Sequence, residues 1–174
     1  VELSRSKAWT GHELSRQEVL ALGEACLPYH QAYAPELMAE LQGISEVTGV
    51  DPVGLIILNG FTDFVDTIYN GEALAMPVPA HPGADNCTAF MVSPQATVEG
   101  QGFYGQTWDM HATAGEYVLM LKLDPVSGPA AVVQTTAGCL GQIGMNEAGI
   151  AIGINNLTAF GKAGVTWPFV VRKV

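Results

Sequence analysis

Asp85-Asn86-Cys87-Thr88-Ala89-Phe90-Met91-Val92 is the stretch at which the chain changes character. Before it, residues 69–86 carry Asn70-Gly71, Pro77, Pro79, Pro82 and Gly83, a breaker-rich texture without apolar period that reads as a loop or linker. After it come short β-rich runs, and strands are expected at 88–92, 102–107, 117–123, 131–135, 138–145 and 150–155. Asp124-Pro125-Val126-Ser127-Gly128-Pro129 and Asn146-Glu147-Ala148-Gly149 have the composition of hairpin turns, which joins these strands into a largely antiparallel sheet.

Upstream, the apolar residues recur at helical spacing: Val19, Leu20 and Leu22, then Leu37, Met38, Leu41 and Ile44, then Leu55, Ile56, Leu58 and Phe61. Three helices are expected, the first opened by a Ser15/Glu18 capping box, the second with Pro35 in its first turn, the third capped by Asp51 and Pro52. Gly43 and Gly49 are the expected stops. Helices followed by an antiparallel sheet make an α+β fold. The division expected is one domain over 1–174, with a helical preamble at 1–68, the linker at 69–86, and the start of a catalytic β-rich part at 87–174. Trp167-Pro168 opens a further helix that is expected to stop part-way, and helices on one face only would leave the sheet's other face bare. A missing C-terminal portion is therefore expected.

With 174 residues, 48% of them hydrophobic and 14% charged, the chain has the material for a sizeable core, and disorder is not expected. No apolar run approaches the roughly 20 residues of a membrane-spanning helix, so no membrane partner is expected. A net charge of −10 opposes a phosphate backbone, which argues against nucleic acid as a partner. Cys26, Cys87 and Cys139 are widely spaced, with no CxxC pair; neither a disulfide framework nor a metal site is expected, and a reducing, cytoplasmic compartment fits them.

Cys87 stands where a proline-rich loop meets an apolar strand. A lone cysteine beside such a run is ordinarily a small buried hydrophobe, and Cys26 and Cys139 are read that way. The neighbours change the weighting for Cys87. Asn86-Cys87-Thr88, then Gly105-Gln106-Thr107-Trp108-Asp109, then Gly141-Gln142-Ile143-Gly144-Met145-Asn146-Glu147-Ala148-Gly149-Ile150 form an ordered set. Together with Glu40-Leu41-Gln42-Gly43-Ile44-Ser45, Val50-Asp51-Pro52 and Leu58-Asn59, that set resembles the acyl-coenzyme A:6-aminopenicillanic acid (isopenicillin-N) acyltransferase-like family of N-terminal-nucleophile hydrolases. Two departures stand out: Asn86 where Gly often precedes the nucleophile, and Thr107 in place of a frequent Asn.

The resemblance implies a four-layer αββα fold, incomplete in this chain, and a zymogen that cleaves itself between Asn86 and Cys87. It implies Cys87 as nucleophile through a thioester, with no cofactor. Asp109 matches the position that orients the freed amine. Asn146 matches a segment near the oxyanion, or serves only its turn. Gln106, Trp108 and His111 would line the substrate site, His111 as a wall residue rather than a base. The implied partners are a small-molecule amide, the second processed chain and possible further copies. Asn155 and Asn156, at a strand end, read as satisfying backbone groups rather than substrate. Two other functions fit the residues: an uncleaved papain-like thiol hydrolase pairing Cys87 with a histidine such as His111, and a non-catalytic binding protein that keeps the fold.

Overall fold

The computed structural model describes residues 13–64, 87–110, 112–156 and 162–174. Helices and antiparallel sheets are both present, an α+β fold as expected. The chain divides into two compact units, one of Val1–Ala80, Ala137–Gly141 and Thr158–Val174, the other of His81–Thr136 and Gln142–Leu157.

In the first unit, helix α1 (Arg16–Tyr33) starts as its sequence dictates. The Ser15 side chain accepts from the Glu18 N–H, and the Glu18 carboxylate accepts from the Ser15 N–H at 2.7 Å. Val19, Gly23, Cys26 and His30 form its buried stripe at helical spacing. Buried Ala34 joins α1 to α2 (Pro35–Thr48): its N–H closes α1 on the His30 carbonyl, and its own carbonyl accepts from Leu37 and Met38. Helix α2 ends at Gly49, whose φ of 70° is the left-handed cap that glycine adopts without strain. Gly43, an expected stop, lies inside α2 instead. A helix-interior glycine costs only about 1 kcal/mol against alanine, and the helix, anchored by the buried Leu37 and Leu41 in the turns before Gly43, continues through it.

Helix α3 (Pro52–Asn59) is capped by Asp51, whose carboxylate accepts from the Val53 N–H at 2.8 Å, and it buries Leu55, Ile56, Ile57 and Asn59. No single helix among the described residues is long and apolar enough to cross a membrane. Helix α4 (Trp167–Lys173) contributes Phe169, fully buried against the same core as Leu41, Ile56 and Leu140. Two polar pins complete the unit. Asn59 donates to the Leu55 and Gly138 carbonyls and accepts from the Leu140 N–H, all near 3 Å. Arg172 pairs with Glu40 at 2.9 Å and donates to the Leu140 carbonyl at 2.6 Å.

In the second unit the expected single sheet is two. Strands β1 (Ala89–Val92) and β2 (Phe103–Gln106) form an antiparallel pair. Strands β3 (Val118–Leu123), β4 (Ala131–Thr136), β5 (Ile143–Asn146) and β6 (Ala151–Ile152) form an antiparallel meander in chain order. Both expected turns close hairpins, with Gly128 and Gly149 at positive φ. The expected strand at 138–145 is cut to β5 because Gly138 and Leu140 are held in the first unit by Asn59 and Arg172. The expected strand at 150–155 pairs only at Ala151 and Ile152.

Candidate active site

Sheet register brings the site together. Ala89 opposes Gln106 in the β1–β2 ladder, so the residues just before β1 lie beside those just after β2. The pairing runs one step further: the Thr107 N–H donates to the Thr88 carbonyl at 2.8 Å, and the Thr88 N–H donates to the Thr107 hydroxyl at 3.0 Å. At the next step the register brings Cys87 level with Trp108, and Asp109 follows one residue further on. The Asp109 N–H points at the Cys87 Sγ across 3.4 Å, although the two residues are 22 apart in sequence. A donor held on a turning backbone fixes where the sulfur sits.

Cys87 is half-buried, whereas Cys26 and Cys139 are buried. Burial pushes the Cys26 thiol up, which keeps it protonated, and Cys139 turns its sulfur to the Leu58 carbonyl at 3.6 Å. Both serve the helical core. Of the three thiols, Cys87 alone is not buried.

The other expected residues are distributed unevenly. Asp109 is exposed and Trp108 beside it half-buried. Gln106 is engaged at both ends of its side chain: its carbonyl accepts from the Tyr104 hydroxyl and its amide donates to the Ile154 carbonyl. Burial pushes the Tyr104 hydroxyl up, so it stays a donor. Asn146 lies at the β5–β6 turn, where its side-chain oxygen accepts from the Ile150 N–H at 3.1 Å, which closes the hairpin; only its amide nitrogen is left as a donor. Asn86 and His111 lie outside the described residues. Among the described residues no three His, Cys, Asp or Glu side chains converge as metal ligands do.

One residue that the sequence places only at a strand end belongs to the site's geometry. The Asn155 amide donates to the Cys87 carbonyl at 3.1 Å. Asn155 does satisfy a backbone group, and the group it satisfies is that of Cys87. Gly153, two residues before it, approaches β2 so closely that an added Cβ would collide with the Tyr104 hydroxyl and the Gln106 side-chain oxygen. The sequence signal available was the Gly-Ile-Asn order after a strand, which carries no chemistry until the register is known.

No family model matches the chain. Over 128 residues it is 24% identical to the 40 kDa form of acyl-coenzyme A:6-aminopenicillanic-acid-acyltransferase from Emericella nidulans, an alignment that takes in 73% of this chain. The chain spans 31% of that protein's length. At this identity the likeness is distant, and it is to an acyltransferase.

Proposed function

We propose that the chain carries the nucleophile-bearing part of a self-processing cysteine amidohydrolase or acyltransferase with the four-layer αββα fold. The observation that carries this reading is the placement of Cys87, a half-buried thiol two residues before β1 with the Asp109 N–H 3.4 Å from its sulfur. The distant likeness to an acyltransferase supports acyl transfer as the reaction class.

Processing would begin with attack of the Cys87 sulfur on the Asn86 carbonyl carbon. The Asn86–Cys87 C–N bond breaks, the thiol proton passes to the departing nitrogen, and a thioester remains beside a free α-amine. Water then hydrolyses the thioester to the Asn86 carboxylate and restores the thiol. Free thiols and α-amines titrate close together, near ~8.5 and ~7.7–8.0, so the new amine can take the thiol proton and return it to a substrate's leaving nitrogen. One residue then serves as nucleophile and base. Asp109 would orient that amine and balance its ammonium form during turnover. The donor left to Asn146 is its amide, and removing one oxyanion donor costs roughly 10²- to 10³-fold in rate.

The acyl group would leave Cys87 to water or to an amine. Between residues 81 and 157 the one Lys or Arg is Lys122, which favours a small amide of low charge over a polyphosphorylated acyl donor. The test is to incubate the purified protein with a panel of short N-acyl amides and follow both amine release and the mass of the Cys87 peptide. The reading expects an acyl mass increment on Cys87 before or during turnover and neither signal in Cys87→Ala. Turnover that persists in Cys87→Ala contradicts it.

A further inference from the structure

Once a nucleophile becomes a chain terminus, nothing upstream holds it, and its geometry depends on the first peptide group downstream. Here that group is the Cys87–Thr88 peptide, and both of its polar ends are occupied by side chains. The carbonyl of Cys87 accepts from the Asn155 amide at 3.1 Å. The N–H of Thr88, the other end of the same planar unit, donates to the Thr107 hydroxyl at 3.0 Å. Because the peptide unit is planar, bonds at its two ends together restrain its tilt and with it the Cα of Cys87, whose sulfur meets the Asp109 N–H.

The stretch that supplies Asn155 is itself stitched down. The Gln106 amide donates to the Ile154 carbonyl, so bonds run in both directions between residues 154–155 and the β1–β2 pair. The missing side chain at Gly153 is what permits this approach, since an added Cβ would displace the Tyr104 and Gln106 oxygens. This accounts for the short β6: beyond Ile152 the backbone leaves the β5 ladder, and side-chain bonds to the β1–β2 pair take over.

We infer that Asn155 and Thr107 are positioning residues for Cys87, clamping the Cys87–Thr88 peptide from its two ends so that the thiol keeps one attack geometry after the Asn86–Cys87 bond is broken. The inference rests on the proposed self-processing reading for its catalytic consequence, while the clamp itself is a property of the fold. Asn155 is exposed, so replacing it leaves no core cavity.

Asn155→Asp keeps the shape and exchanges the donor for an acceptor that repels the Cys87 carbonyl. Two measurements on the purified protein read the effect. The first is amide hydrogen exchange by NMR at Thr88, with Val133 in β4 as the internal reference. The clamp expects exchange at Thr88 to accelerate at least tenfold while Val133 is unchanged; acceleration at both, or at neither, overturns it. The second is steady-state kinetics on an amide turned over by the wild type. A displacement of the nucleophile is expected to lower kcat roughly 10- to 100-fold, with KM within threefold, and Thr107→Val should give the same split. An unchanged kcat, or a loss carried by KM, overturns the positioning role. If the wild type neither cuts nor turns over any amide, the functional reading fails, and exchange at Thr88 alone decides whether Cys87 is clamped.

Discussion

The helical unit and the β-rich unit use the same kinds of residue to opposite ends. In the first, apolar side chains are covered: Val19, Leu41, Ile56, Ile57 and Phe169 are all fully buried around α3. In the second, Val133 is the one buried large aliphatic residue among those described, while Met91 and Met120 are 84% and 66% exposed. The difference teaches where fixation comes from in each. Burial fixes the helices. Register and side-chain bonds to the backbone fix Cys87, and these can be removed one at a time without opening a core.

That contrast can be broken most directly by truncation. Phe169→Ala deletes a fully buried ring that meets His30 edge-on at 4.4 Å, and it should cost about 3–5 kcal/mol in urea unfolding. A loss below 1 kcal/mol would mean that the helical unit is not held by its core.

Asn59→Ala should come next. It leaves the Leu140 N–H and the Gly138 carbonyl without their partner in a buried setting, at about 2–3 kcal/mol. Because Gly138 and Leu140 lie between β4 and β5 in the chain, hydrogen exchange should also rise at Leu140; unchanged exchange there would show that Asn59 does not hold the segment.

Acidification sharpens the contrast further. The Thr166 N–H donates to His30 Nε2 at 3.0 Å, so that nitrogen bears the lone pair and the proton sits on Nδ1, facing the Cys26 carbonyl at 2.9 Å. Burial holds His30 below its usual value of 6.5. The unfolded chain therefore binds the proton more readily. The stabilisation from neutral His30 is complete above pH 6.5 and is lost as pH falls through that value towards the lowered folded one. The slope for one proton is at most about 1.4 kcal/mol per pH unit. His30→Asn should flatten the dependence of urea unfolding on pH between 7 and 5; the same slope in wild type and variant would assign it to another group.

Smallest of all should be Met120→Thr, a substitution on an exposed strand position expected to stay within about 0.5 kcal/mol. A cost of several kcal/mol would erase the distinction between the units.

The sequence made the helices legible because their ends are written locally. Ser15 with Glu18, Asp51 with Pro52, and Gly49 each act within one turn, and all appear in the structure as read. Gly43 misled because a propensity of about 1 kcal/mol is weaker than the packing of Leu37 and Leu41 that anchors the same helix. The break between 136 and 143 was illegible for the opposite reason: Asn59 bonds to Gly138 and Leu140 from about 80 residues away. Within the site, Cys87 and Asp109 stood out by their neighbours. Asn155 did not, since a strand-end asparagine becomes informative only when register shows whose carbonyl it meets.

The account turns on the bond before Cys87. Intact-mass spectrometry of the freshly purified protein, beside Cys87→Ala, reads that bond directly. The account predicts a fragment whose N-terminal residue is Cys87, formed in the wild type and absent from the variant. A wild-type chain that stays whole while hydrolysing amides, or a variant that is cut at the same bond, would contradict it.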